Sequence, residues 1–178
     1  MPESAFDELT AALRLSLRDL SPDFSTDVDD KGGDVLLVTI RNPAHPYWGV
    51  SYEAAADRDG HITGALWFGQ CEVTGHLPGG DAAAAIRSVA SGEIIAVVRY
   101  KSLDDLDDRH PSGWRKVLQV IPGSGGAADD TAAYEALMHK LRTPPTLWER
   151  LDRKTVGVFE VARFDDVTVI ERCKSVKK

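Results

Sequence analysis

The residues of this chain that could do chemistry are few. His61, His76 and Cys71 lie in one short stretch and are zinc-ligand types. Strand alternation that puts both histidines on one face puts Cys71 on the other, which splits the set. His45 and His110 each precede a proline and read as turn residues. Gly123, Gly125 and Ala128 carry the spacing of a dinucleotide fingerprint, but Pro122 separates them from the preceding strand. The following helix starts late and no ribose-binding acid follows on a second parallel strand, so the segment reads as a flexible link. No lysine and hydroxyl follow those glycines, so there is no phosphate loop. Asp27, Asp29 and Gly32 open like a calcium loop, yet Lys31 occupies a ligand position and Val38 stands where the bidentate Glu belongs. No serine has a nucleophile-elbow context and no carboxylate pair is fixed for acid and base work. These residues leave an enzymatic activity unsupported without excluding it, and the expectation is a non-enzyme with no cofactor and no metal.

A more distinctive feature is Trp67-Phe68-Gly69-Gln70, two large rings and a residue without a side chain at the end of a predicted hairpin. A glycine there can pass into a cleft too narrow for a Cβ, and tryptophan is favoured at binding hot spots; the alternative is that Phe68 is core and Trp67 covers a neighbouring strand. Trp67, Gly69, Gln70 and Glu72 are the candidate partner-binding residues of this tip. The acidic run Asp104, Asp105, Asp107 and Asp108, predicted as a loop, is a second candidate partner surface. Gly69 is expected to be exposed and replaceable without harm to the fold.

The elements that position the tip form a three-strand meander over about 50–77. A two-residue loop at Gly69-Gln70 pairs Phe68 with Cys71, Leu66 with Val73, Gly64 with Gly75 and Ile62 with Leu77. A three-residue loop, Arg58-Asp59-Gly60, pairs Ala56 with Ile62, Ala54 with Gly64, Tyr52 with Leu66 and Val50 with Phe68. Both turns select the same apolar face, and a one-residue slip would destroy it.

Before the meander, Phe6, Leu9, Leu13, Leu17 and Leu20 mark an amphipathic helix, a loop follows, and 35–41 reads as a strand. After it come a short helix from Asp81 to Ala90 with Ile86 and Val89 inward, and Glu93 to Ser102, apolar on both faces and so central in a sheet. Strands at 114–121, 156–164 and 167–173 follow, with a helix from near Asp130 to Arg142 and a capping box at Thr146 and Glu149. The pattern predicts a single α+β domain over 1–178, with a largely antiparallel sheet and helices packed on one side.

The length of 178 residues suffices for a core without staples, and no apolar run approaches a membrane span. Pro2 to Leu20 lacks a signal-peptide pattern, which predicts a cytoplasmic protein with Cys71 and Cys173 as free thiols. Charge is uneven: residues 1–89 hold 14 acids and 6 bases, net −8, and residues 90–178 hold 14 acids and 15 bases, net +1. The acidic half disfavours nucleic acid and fits either a basic protein partner or, taken alone, a solvated surface that aids solubility.

LWFGQ, a histidine a few residues on, a short helix and then SGEIIAVVRY, over Leu66 to Tyr100, resemble the small α+β immunity proteins of bacterial polymorphic toxin systems. Within that group, length and Ala-, Asp- and Gly-rich composition are similar to the actinobacterial immunity factors of the tuberculosis necrotizing toxin, an NAD glycohydrolase. The resemblance implies a cytosolic stoichiometric antitoxin that plugs a toxin's active site with a loop. A second reading is a small-molecule-binding or enzymatic domain with a pocket between the sheet and the helix after Gly126. A third is an adaptor or secretion chaperone.

Overall fold

In the computed structural model, which describes residues 5–28, 33–119, 128–146, 148–149 and 155–172, the meander is present. The described chain is α+β, with two antiparallel sheets and four α-helices. It divides into two compact units, Met1–Ser91 and Gly92–Lys178, each with one sheet. The antiparallel strands thus form two sheets rather than one.

The first sheet runs in sequence order: β1 (Asp23–Val28), β2 (Asp34–Ile40), β3 (Val50–Ala56), β4 (Ile62–Phe68) and β5 (Cys71–Pro78). Its β3/β4 register pairs Ala56 with Ile62, Ala54 with Gly64, Tyr52 with Leu66 and Val50 with Phe68, as the sequence predicts. Gly60 takes the left-handed conformation in the connecting turn. The β4/β5 register departs from expectation. Phe68 faces Cys71 and Trp67 faces Glu72, but Leu66 then faces Thr74 and Gly64 faces Leu77. Two irregularities in β5 replace the expected Leu66–Val73, Gly64–Gly75 and Ile62–Leu77 pairs. The cause is visible at Tyr52. A Cβ on Gly64 would lie 2.7 Å from the Tyr52 ring and would collide with the Glu53 carbonyl, so only glycine lets the ring cross β4 there. The Tyr52 hydroxyl then donates to the Leu77 carbonyl at 3.1 Å, which the shifted register brings opposite Gly64.

Asp23–Val28, expected to be a loop, is an edge strand. It is almost wholly exposed, so ladder hydrogen bonds rather than an apolar alternation hold it, and the alternation signal is missing for that reason. One face of the sheet is covered by α2 (Ala82–Ala90), which lies on β3 and β4, with α1 (Ala5–Ser16) against α2. Leu13, Leu17, Ile86, Val89, Tyr52 and Leu66 are buried there.

The second sheet has the order β7-β6-β8-β9, from β6 (Ile94–Tyr100), β7 (Arg115–Gln119), β8 (Gly157–Ala162) and β9 (Val167–Arg172). All seven residues of β6 are buried and the strand is central, as its unbroken apolar run predicts. On one face, Met138 and Leu141 of α4 (Ala128–Arg142) pack with Ile95, Val97, Phe159 and Val161. The acidic run, expected as a loop, forms a short helix, α3 (Leu103–Asp107), because the Ser102 hydroxyl caps it by accepting from the Asp105 amide at 3.1 Å. The Gly-rich link at 122–126 and Cys173 lie outside the described residues.

The predicted capping box forms: the Thr146 amide donates to Glu149 at 2.9 Å, and the Glu149 amide donates to the Thr146 hydroxyl at 3.3 Å. The Thr146 amide first, then the Thr146 hydroxyl and Arg172, hold the Glu149 carboxyl down to about 2. A carboxyl whose folded pKa is depressed stabilises the fold above its unfolded pKa and ceases to as pH falls through the folded one. Glu149 is therefore expected to make the protein progressively less stable between its ordinary 4.5 and about 2. Melting curves across that interval should show a shallower decline for Glu149→Gln than for the parent.

Candidate functional site

The hairpin tip rests on a platform built by the loop between β2 and β3. Asn42 is buried; its carbonyl oxygen accepts from the His45 amide at 3.0 Å and its amide group donates to the Trp48 carbonyl at 3.2 Å. This clamp, with the Trp48 amide donating to His45 at 2.8 Å, turns the Trp48 ring into the core and leaves Tyr47 61% exposed. The Trp48 and Phe68 ring centroids are 5.1 Å apart. The Gly69 amide donates to the Gly49 carbonyl at 2.9 Å, which fastens the tip to the platform.

Gly69 has φ of 54°, and Gln70 after it is not left-handed, the two-residue turn that wants glycine first. It is half-buried rather than free. A Cβ at Gly69 would sit 2.6 Å from the Trp48 ring and 2.8 Å from the Tyr47 carbonyl. The expectation that Gly69 can be replaced without harm to the fold is therefore corrected. Gly69→Gln should destabilise by about 1–3 kcal/mol through crowding and a disfavoured backbone, read as a lowered melting temperature. A variant melting with the parent would contradict this packing.

The register pairs Trp67 with Ser51 and with Glu72, so the indole lies on the sheet face opposite Phe68 and the helices. Trp67 and Gln70 are half-buried and Glu72 is exposed. A Cβ on Gly75 would lie 2.7 Å from the Glu72 carboxylate, so the carboxylate folds against the irregular part of β5. Cys71 is buried on the opposite, core-facing side.

Asp57, Asp59 and His61 bring their ligand atoms within 4.8 Å of one another in the β3/β4 turn. The Asp57 carboxylate accepts from the Asp59 and His61 amides, both at 2.9 Å. Those bonds, His61's first, lower the Asp57 pKa. This is the work of a turn-closing aspartate, and all three residues are exposed.

In the second unit, Asp104, Asp105, Asp107 and Asp108 lie on or just after α3. A cleft of about 750 Å³ is lined by residues including Arg99, Lys101, Asp104, Ser112, Glu171 and Arg172. Its arginines are tied into the framework. Arg99 donates to the Val156 carbonyl at 2.6 and 2.8 Å and to the Ser112 hydroxyl at 2.6 Å. Arg172 donates to the Thr143 and Thr155 carbonyls and to Glu149. Between the second sheet and α4, Met138 and Leu141 pack with Ile95, Val97, Phe159 and Val161, and a smaller pocket of about 320 Å³ is lined by Tyr134, Glu135, Met138, His139 and Arg142.

Trp67, Gly69, Gln70 and Glu72 thus stand together in the first unit, while the four aspartates belong to the second. Sequence reasoning missed Tyr47, whose place beside the tip is set by the Asn42 clamp, and Trp148, which is 79% exposed in the second unit. The Asn42-Pro43 turn signal before Tyr47 was the available clue. No family model, no curated protein and no solved structure matches this chain. No helix among the described residues is long and apolar enough to cross a membrane.

Proposed function

We infer that this protein is a non-enzymatic immunity protein: it binds a cognate bacterial toxin and blocks its active site with the β4/β5 tip. The observation that carries the reading is the tip, where a left-handed glycine is bonded to a clamped loop that displays Tyr47. Such a rigid aromatic projection binds at little cost in ordering. Its unit holds 14 acids and 6 bases, which suits a basic partner. The sequence resemblance to polymorphic-toxin immunity proteins points the same way and makes an NAD glycohydrolase the candidate target. In the second unit, the bonds of Arg99 and Arg172 to backbone carbonyls fit a framework role for the cleft wall.

The test is titration of the NAD-hydrolysing activity of a toxin domain of the NAD glycohydrolase class with this protein. Linear loss of activity to an equimolar endpoint is expected, and Tyr47→Ala with Trp67→Ala should weaken inhibition by at least about tenfold, the scale of interface hot spots. Full toxin activity in the presence of excess protein would overturn the reading. A metabolite retained in native mass spectra and displaced by Lys101→Glu in the cleft would favour the small-molecule reading instead.

A further inference from the structure

The five strands of the first sheet contain Asp23, Asp27, Asp34, Glu53 and Glu72 and no lysine or arginine. The register distributes these acids unevenly between the faces. Asp27 faces Val35, Val35 faces Ala55 and Leu37 faces Glu53; Glu53 faces Ala65, and Trp67 faces Glu72. Strand alternation therefore puts Asp23, Asp27, Glu53, Trp67 and Glu72 on the side away from Tyr52, Leu66 and Phe68, the side that α2 does not cover. Asp23, Asp27, Glu53 and Glu72 are exposed, with Leu37 and Trp67 half-buried among them. Arg41 at the rim pairs with Asp23 at 2.8 Å, both side chains being well exposed. What remains is a sheet face with negative charge along three strands, the buried Val35 and small residues such as Ala55 and Ala65 between, and one indole as an anchor.

We propose that this open face of the first sheet, and not the tip alone, is a docking surface for a cationic protein surface. The inference rests on the immunity-protein reading and names the partner's chemistry: lysines and arginines meeting Asp27, Glu53 and Glu72, with an apolar or aromatic group against Trp67. Charge complementarity selects this occupant. Acids spread over three strands that carry no lysine or arginine of their own, with Arg41 offsetting Asp23 at the rim, repel nucleic acid and a second copy of the same face, and speed encounter with a basic surface. The small residues let a partner approach the backbone closely, and Trp67 supplies the desolvated contact that the carboxylates lack.

The experiment compares Asp27→Lys/Glu53→Lys with the parent; both positions are exposed, although Asp27 faces the buried Val35, so equal melting of parent and variant is checked first. Association with the inhibited toxin is followed by stopped flow over a salt series. The expected result is a fall of about tenfold in association rate at low salt, a flattened salt dependence and a near-parental dissociation rate, the pattern of lost electrostatic steering. A second arm needs no toxin: amide chemical shifts of the parent are followed during titration with an oligolysine peptide. Shifts confined to residues around Asp27, Glu53 and Trp67, absent in the double variant, support the proposal even if no toxin is inhibited, in which case the immunity reading falls alone. Unchanged association rates together with shifts scattered over the whole chain would overturn the docking face and leave it the wet side of an antiparallel sheet. A dimer in solution that buries Trp67 would also overturn it.

Discussion

Trp48→Ala is expected to lower stability by about 3–5 kcal/mol, the range for removing a large buried aromatic. Trp48 is 2% exposed and packs on Phe68, so the cavity would open beneath the hairpin tip. The loss spreads beyond the ring. Asn42 holds the loop through the Trp48 carbonyl, and Gly69 is fastened to Gly49 next door. Without the indole the platform that orients Tyr47 and the tip has no core anchor. Chemical denaturation should show a lower midpoint; if the proposed immunity function holds, toxin inhibition should weaken in parallel, whereas Tyr47→Ala should alter inhibition with little change in midpoint. Trp48→Phe should recover part of the stability because it restores most of the apolar contact. A Trp48→Ala protein as stable as the parent would mean that the loop is not the support of the tip.

Glu160→Ala is the second large expected effect. Glu160 is 2% exposed on β8 and receives Arg109 at 2.7 and 2.8 Å and the Tyr100 hydroxyl at 3.1 Å. Removing one partner of a buried ion pair strands the other, at about 3–5 kcal/mol where both are fully buried. The Arg109 side chain is 27% exposed and can recover some hydration, so about 2–4 kcal/mol is the expectation here. Arg109 follows α3 in a left-handed conformation, which ties the acidic helix to the sheet through this carboxylate. Replacing the pair together, as Glu160→Leu/Arg109→Met, should cost less than Glu160→Ala, because no charge is left behind. A spectroscopic readout separates this network from mere packing. Burial first, and then the Glu160 charge, push Tyr100 up to about 12. A raised pKa stabilises the fold below its ordinary value of 10.0, and that contribution is lost as pH rises to about 12. Glu160→Gln should lower the Tyr100 titration, while Tyr52, held at about 12 by burial alone, should not move. Unmoved titration of both tyrosines would remove Glu160 from the Tyr100 environment.

Local chain chemistry determined more of this protein than its composition suggests. The β3/β4 register, the Gly69-Gln70 turn, the central place of β6 and the Thr146–Glu149 capping box all follow from short-range patterns. Each is set by neighbours in sequence, a turn type or a side-chain alternation that admits one arrangement. The candidate tip residues were legible for the same reason. Tertiary structure alone decided what depends on contacts between segments distant in sequence. The β5 irregularities arise because the Tyr52 hydroxyl reaches Leu77 across a bare Gly64, and no pattern within β5 announces that bond. β1 is a strand because β2 offers it a ladder, since it buries almost nothing of its own. Gly69 lost its apparent freedom because Trp48 folds under it, and Trp48 does so because Asn42 clamps the intervening loop. The division into two sheets likewise comes from tertiary pairing: β5 and β6 follow one another in the chain yet lie in different sheets, and β6 pairs with β8 as well as with its successor β7. Alternation specifies which residues share a strand face; only packing decides which face α2 covers and which it leaves uncovered.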